Sequence, residues 1–223
     1  MANFKTHFTV AAVSGALLGG FGWRYGLWSF EAALPMAAMT TLGGVIPDID
    51  ADQSRSVKVI FTIMAVVALI GVVTLLQPHL TIAALSGAGI ATFFAVRYPL
   101  SALFKRFSVH RGIWHSLLAS LLAAALVAVV SYQLFIQTPE HSWYLGVAIL
   151  VGALIHLLLD EICSIDLEGT RLKRSFGTAL KFYDYGRPVT ALLMSVVIVS
   201  LGPWLPPLAA LQRMIGDMRA LWH

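Results

Sequence analysis

Long uninterrupted apolar runs constrain this chain more than any other feature of its sequence. A helix needs roughly 20 apolar residues to cross the hydrocarbon core of a bilayer, whereas about 10 to 14 are typical of a buried helix in a soluble domain. Charged residues make up only 12% of the 223 residues, against about 25% in soluble proteins. The chain is therefore predicted to be an integral membrane protein. Its five strongest candidate spans are Val57–Leu76, Leu80–Val96, Ile113–Ile136, Trp143–Leu159 and Val189–Leu205.

Two further apolar runs, Phe8–Gly22 and Phe30–Pro47, are weaker candidates because they are rich in Gly and Ala. Within the first, Gly15 and Gly19 have the spacing that lets two helices approach closely in lipid. Counting both runs predicts an all-α polytopic bundle of about seven transmembrane helices.

The basic residues predict how this bundle is oriented. In the seven-span arrangement, twelve of the fifteen Lys and Arg residues fall on one side. Basic loops stay on the cytoplasmic side, so the N-terminus is predicted inside and the C-terminus outside. The net charge of +4 is then explained by topology and by contact with membrane lipids, and it indicates no nucleic-acid partner. The twelve residues are Lys5, Arg55, Lys58, Arg97, Lys105, Arg106, Arg111, Arg171, Lys173, Arg174, Lys181 and Arg187.

No composition shift or long linker divides the chain. We therefore predict one transmembrane domain over residues 1–207, which includes a cytoplasmic loop at 164–187. The remaining residues, 208–223, carry apolar side chains on one helical stripe, which is typical of an amphipathic helix in the membrane interface.

Histidines and acidic residues cluster at four of the predicted span ends. All four ends face the cytoplasm in the predicted topology. Since Lys and Arg alone determined that topology, the convergence is independent evidence for a site on the cytoplasmic face. The four stretches are Thr6-His7, Pro47–Asp52, His110–Ser116 and His156–Glu161.

His156 and Asp160 are four residues apart in an apolar helix, so they share one helical face. Ionisable groups inside a span are costly and usually have a partner in the bundle interior. The pair is consistent either with metal binding or with a hydrogen bond that holds helices together. Asp48 and Asp50 alternate in a loop, where they can converge on a cation or cap a helix.

The other polar stretches add further candidates, each with a plainer alternative. His7 and His115 could complete a set of imidazole and carboxylate ligands, which suits Zn²⁺, Mn²⁺ or Fe. Arg111 could bind a phosphate through its planar fork, although alone it is one more cation that sets topology. His7 alone is an ordinary interfacial residue.

These motifs resemble those of a bacterial inner-membrane family of the YdjM type, described as metal-dependent hydrolases. The resemblance covers the chain to about Asp160 and implies a hydrolase in the inner membrane. One departure is that Ile113-Trp114 stands where many members have a smaller or hydroxylated residue before the second histidine, which affects the shape of the pocket. The matching elements are Thr6-His7, Pro47-Asp48-Ile49-Asp50, His110-Arg111-Gly112, His115-Ser116 and His156-Leu-Leu-Leu-Asp160.

The favoured hypothesis is a metal-dependent hydrolase at the cytoplasmic membrane face, acting on a phosphoester of a lipid or lipid-linked molecule. It uses one or two divalent ions, with zinc preferred and Mn or Fe as alternatives. His110 or Glu161 serves as general acid or base. Arg111 holds the phosphate, and Lys173, Arg174 and Lys181 guide an anionic head group. The predicted metal ligands are His7, Asp48, Asp50, His115, His156 and Asp160.

Two other functions fit the same residues. One is a transporter or channel for a divalent cation, although transport sites usually lie near mid-bilayer on interrupted helices. The other is a noncatalytic membrane scaffold in which the histidines and aspartates only hold helices together.

Overall fold

The structure, a computed structural model, describes residues 3–50, 55–107, 112–166, 171–172 and 180–221. The described chain is almost entirely helical, which confirms the predicted all-α class. Residues Ile165–Asp166 (β1) and Arg171–Leu172 (β2) form a short antiparallel pair. The helices are α1 (Phe4–Arg24), α2 (Phe30–Gly43), α3 (Arg55–Leu76), α4 (Ile82–Ala95), α5 (Ser101–Phe107), α6 (Leu117–Val129), α7 (Pro139–Ile162), α8 (Pro188–Ser200) and α9 (Leu208–Ala220).

Several of these helices are long and apolar enough to cross a membrane. Among the described residues there are 4 such helices, or up to 5 if one bent pair counts as a span. The prediction of seven spans with a defined orientation is therefore not confirmed. One reason is α2, whose 14 residues extend only about 21 Å at 1.5 Å per residue. The candidate spans are Arg55–Leu76, Ile82–Arg106, Leu117–Leu134 and Pro139–Ile162, with the bent pair Pro188–Trp204 and Leu208–Ala220.

The helices form two compact units. The first combines Met1–Pro47 with Ile113–His223, and the second is Asp48–Gly112. The predicted single domain over residues 1–207 stays a prediction.

In the second unit, α3 packs against α4, and the Phe61 ring lies edge-on to Phe104 at 5.4 Å. The helix of α4 continues into α5 through a π-helical turn at Val96–Leu100. This turn contains Pro99, and a wider turn accommodates a residue that cannot donate a backbone hydrogen bond.

In the first unit, α1 packs against α2 through the predicted pair of small residues. A Cβ atom added to Gly15 would lie 2.5 Å from the Ala37 carbonyl oxygen, and one on Gly19 would lie 2.5 Å from that of Ala33. Real Cβ atoms do not approach oxygen so closely, so only glycine permits this contact. The close approach predicted from the Gly15-x-x-x-Gly19 spacing is confirmed.

A second backbone contact joins α2 to α7. A Cβ atom on Gly152 would overlap the Thr40 carbonyl oxygen, and one on Gly43 would overlap that of Ile149. This contact places the end of α2 beside α7, one turn before His156.

Among the remaining helices of the first unit, α6 and α9 pack against α7. Helix α6 lies along α7, and in the π-helical turn Val130–Leu134 that follows α6, Ser131 accepts from Ser142 of α7 at 3.0 Å. Helix α8 packs on α6, and α9 turns by 96° from the preceding helix. Met214 of α9 packs into a cluster with Tyr144 and Ala148 of α7. The tail therefore buries part of its apolar stripe against protein, while its predicted place in the membrane interface stays a prediction.

Candidate metal centre

Four polar side chains meet at one end of the first unit. His7 is the fourth residue of α1, and Asp160 lies two residues before the end of α7. His156 is one helical turn before Asp160, and His115 lies two residues before α6 begins. All four side chains are almost fully inaccessible, with exposures of 0 to 2%.

The Asp160 carboxylate is the centre of this group. Its Oδ1 atom lies 3.2 Å from Nε2 of His7. Its Oδ2 atom lies 3.9 Å from Nε2 of His115 and 3.9 Å from Nε2 of His156. Three imidazole nitrogens from different parts of the sequence thus surround one buried carboxylate.

The imidazole of His156 is oriented by the backbone of the α2 end. Its Nδ1 atom lies 2.8 Å from the Gly44 carbonyl oxygen. That oxygen is available because the last carbonyl groups of a helix have no intrahelical donor. Since a carbonyl only accepts, Nδ1 donates its proton, and in the neutral ring Nε2 then carries the lone pair. Metal-binding histidines typically make such a bond through their second nitrogen.

The rings of the three histidines are in direct contact. His7 stacks on His156 with ring centroids 3.7 Å apart and an interplanar angle of 14°. His115 meets His156 edge-on at 5.5 Å. These contacts leave each ring little rotational freedom, so the nitrogen positions are preorganised.

His115 is held by the turn that starts α6. Ser116 is the N-cap of α6, and its Oγ accepts from the Ala119 N–H at 3.3 Å. The same hydroxyl donates to the Ile113 carbonyl at 2.5 Å. This bond closes the short turn that contains His115.

The donor atoms have spacings that suit a metal ion. His7, His156 and Asp160 each offer one ligand atom, and these atoms lie within 4.8 Å of one another. A tetrahedral ion with bonds of about 2.1 Å separates its ligand atoms by about 3.4 Å. The distance of 3.2 Å from His7 Nε2 to Oδ1 and that of 3.9 Å from His156 Nε2 to Oδ2, the two oxygens of Asp160, lie on either side of this value. The three side chains can therefore hold a metal ion with small adjustments.

Burial gives an electrostatic reason for a cation at this position. An ionised carboxylate in an apolar span is stable only when paired. A divalent ion can provide that pairing while three imidazoles remain neutral. A protonated histidine beside Asp160 is the alternative source of positive charge.

Of the other eight predicted site residues, four are described and four lie outside the described residues. Asp48 and Asp50 belong to the 3-10 turn Ile46–Asp50, and both fall in the second unit. Glu161 directly follows Asp160 and is half-buried, but successive helical residues point about 100° apart. Lys181 pairs with Asp184 at 3.6 Å. Their predicted roles stay predictions. The residues outside the described part are His110, Arg111, Lys173 and Arg174.

Sequence reasoning missed Gly44, whose carbonyl orients His156. The only local signal was the Gly43-Gly44 pair ahead of Pro47, which indicates the end of a helix. A backbone carbonyl acts through its position alone, so residue type could not identify the bond.

The fold and the buried group define a multispanning helical membrane protein with a candidate metal centre at one end of its helices. The model of one family, described as the YdjM inner membrane protein, matches residues 1–211, and the chain belongs to this family. The match confirms the resemblance inferred from the motifs and extends it beyond Asp160. No curated protein matches the chain, and no solved structure does.

Proposed function

We propose that this protein is a metal-dependent hydrolase that acts at the cytoplasmic face of the inner membrane. Its substrate is a phosphoester of a lipid or of a lipid-linked molecule. The observation that carries the proposal is the buried group in which three imidazoles surround the Asp160 carboxylate, with His156 oriented by Gly44. Imidazole nitrogen together with carboxylate oxygen is the donor set of catalytic zinc sites.

In this function His7, His156, Asp160 and His115 would hold the ion, which would keep a further position open for water, as catalytic sites do. Zinc fits these donors best, with Mn and Fe as alternatives. When bound, such an ion lowers the pKa of a water molecule and polarises a phosphoryl oxygen. Asp48 and Asp50 are the candidate ligands for a second ion.

The remaining predicted residues act on the substrate. Arg111 binds the phosphate through its planar fork, which matches two oxygens at once. His110 or Glu161 transfers the proton to the leaving group. Lys173, Arg174 and Lys181 attract the anionic head group. Both the water and the lipid head group must reach the ion. Ligands near helix ends favour this access, because helix ends are closer to the membrane surface than helix middles are.

The depth of the ligands favours an enzyme over a transporter. Transport sites usually lie near the bilayer midplane on broken helices. Here His7 is in the first turn of α1, and Asp160 is in the last turn of α7. Both positions are close to a helix end rather than to the middle of a helix, as expected for a site that meets lipid head groups.

The test is hydrolysis of a panel of lipid phosphoesters by the purified protein in lipid nanodiscs. Turnover should require added metal and disappear with a chelator. Arg111→Lys keeps the positive charge but loses the bidentate fork, so it should keep its metal and react at least about tenfold more slowly, or about 1.4 kcal/mol in the barrier. Arg106→Lys is the matched control and should react normally.

Ion flux into vesicles that contain the same protein distinguishes the rival function. Metal-selective flux with no hydrolysis of any substrate in the panel would show that the protein is a transporter and not a hydrolase.

A further inference from the structure

The segment Lys181–Asp184, called the strap below, is hydrogen-bonded to the start of α6. The Leu117 N–H donates to the Lys181 carbonyl at 3.0 Å, and the Leu118 N–H donates to the Phe182 carbonyl at 3.0 Å. The first N–H groups of a helix have no partner within the helix. The strap therefore supplies acceptors that α6 cannot supply for itself, over a separation of more than 60 residues in sequence.

Side chains hold the strap against the helix. Tyr183 packs on the apolar cluster that includes Leu118 of α6 and Ala191 of α8. The ion pair between Lys181 and Asp184 spans the strap at 3.6 Å. The strap is thus attached through both its backbone and its packing.

The turn that the strap stabilises is the one that carries His115. Leu117 follows the N-cap Ser116, whose hydroxyl closes the turn by donating to Ile113. His115 has no helical backbone of its own to orient it, since α6 begins at Leu117. Its imidazole nevertheless reaches to 3.9 Å from Asp160 while 1% exposed.

We infer that the strap is a positioning element of the metal centre: by fixing the first turn of α6, it holds His115 in reach of the ion. This inference rests on the proposed metal centre. The strap belongs to the predicted cytoplasmic loop at 164–187. Positioning a metal ligand is a second role for this loop, in addition to its predicted attraction of lipid head groups. A displacement of the strap would release one ligand and leave His7, His156 and Asp160 in place.

The probe for this role is Leu117→Pro compared with Leu117→Ala. Proline is favoured at the first position of a helix, where its missing N–H is not needed within the helix. It also requires an extended residue before it, and Ser116 has φ −150 and ψ 157. Leu117→Pro therefore removes the hydrogen bond to the Lys181 carbonyl. The proline itself is compatible with the first position of α6. Leu117→Ala removes the side chain but keeps the N–H.

The measurement is Co²⁺ binding to the full-length protein, monitored by affinity and by the visible spectrum of the ion. Leu117→Pro should bind Co²⁺ about fivefold more weakly than Leu117→Ala, as expected from the loss of one hydrogen bond. Its spectrum should resemble that of His115→Ala. In a His115→Ala background, the Leu117→Pro and Leu117→Ala proteins should bind Co²⁺ with equal affinity, because the ligand that the strap positions has been removed.

A second pair of variants, Tyr183→Ala and Phe182→Ala, tests the strap through its side-chain packing. This pair still tests the proposal if the Leu117→Pro protein does not fold. Tyr183 packs on the cluster, whereas Phe182 is 54% exposed. Only Tyr183→Ala should change the spectrum. Equal affinities and spectra in both pairs, with Co²⁺ bound by the unmodified protein, would overturn the strap's role and leave the metal centre standing. No Co²⁺ bound by the unmodified protein would overturn both.

Discussion

The Nδ1 atom of His156 lies 2.8 Å from the carbonyl oxygen of Gly44, although the two residues are 112 positions apart in the chain. This bond joins the end of α2 to the face of α7 that carries Asp160. It determines which nitrogen of a neutral His156 carries the lone pair, because the nitrogen that faces a carbonyl must carry the proton. The orientation of a candidate ligand thus depends on where a different helix ends.

The first prediction concerns ligation by His156. His156→Ala should weaken metal binding at least about 100-fold, more than a change in a surrounding hydrogen bond costs. His141→Ala is the control, since His141 is near the other end of the same helix. Metal content after purification and a competition titration provide the measurement. Equal metal content in both folded variants would make His156 a packing residue.

Asp160→Asn distinguishes two roles of Asp160, binding of the metal ion and hydrogen bonding between helices. The asparagine has nearly the same shape, and its amide oxygen can still accept from Nε2 of His7, which lies 3.2 Å from the carboxylate. The variant should therefore stay folded but lose its metal, because a neutral amide is a poor ligand for a divalent ion in an apolar span. Thermal unfolding and metal analysis test the two properties. Full metal occupancy in the variant would show that the carboxylate is not a ligand.

The packing of α1 on α2 is tested by two neighbouring glycines. Gly19→Ala places a Cβ atom 2.5 Å from the Ala33 carbonyl, whereas a Cβ atom on Gly20 has nothing within 4 Å. We expect Gly19→Ala to destabilise the protein by about 1–3 kcal/mol, the usual cost of overpacking. Gly20→Ala should be neutral or slightly stabilising, because alanine favours the helix. Unfolding in mixed detergent measures both, and equal stabilities would contradict the close approach.

The topology prediction is tested by reporter fusions. A reporter fused after Trp222 should be active only outside, and one inserted within residues 172–179 should be active only inside. The physical reason is the retention of basic loops in the cytoplasm. The reverse pattern would mean that the metal centre faces the outer side of the membrane, and it would contradict the proposed action at the cytoplasmic face.

Much of the protein's class was predictable from local sequence. Apolar runs longer than a soluble helix needs predict membrane spans, and the spacing of Gly15 and Gly19 predicted a close helix contact that the structure confirms. The spacing of His156 and Asp160 placed both on one helical face, and they lie on one face of α7. These features depend on residues within a few positions of each other, so helical periodicity was enough to infer them.

The number of spans was less predictable. A run of apolar residues marks where a helix is allowed, but Gly43, Gly44 and Pro47 end α2 early. The predicted span Ile113–Ile136 also begins before its helix, because Ile113–Ser116 forms the turn before α6. Helix ends depend on capping and on tertiary contacts, which hydropathy does not report.

The sequence by itself determined that this chain is a helical membrane protein and that His156 and Asp160 share one helical face. Only the tertiary structure decided that Gly44 orients His156, that Asp160 lies between His7 and His115, and that the strap caps the first turn of α6. The reason is physical. Each of these contacts joins residues far apart in the chain, and two of them use backbone carbonyls, which every residue has.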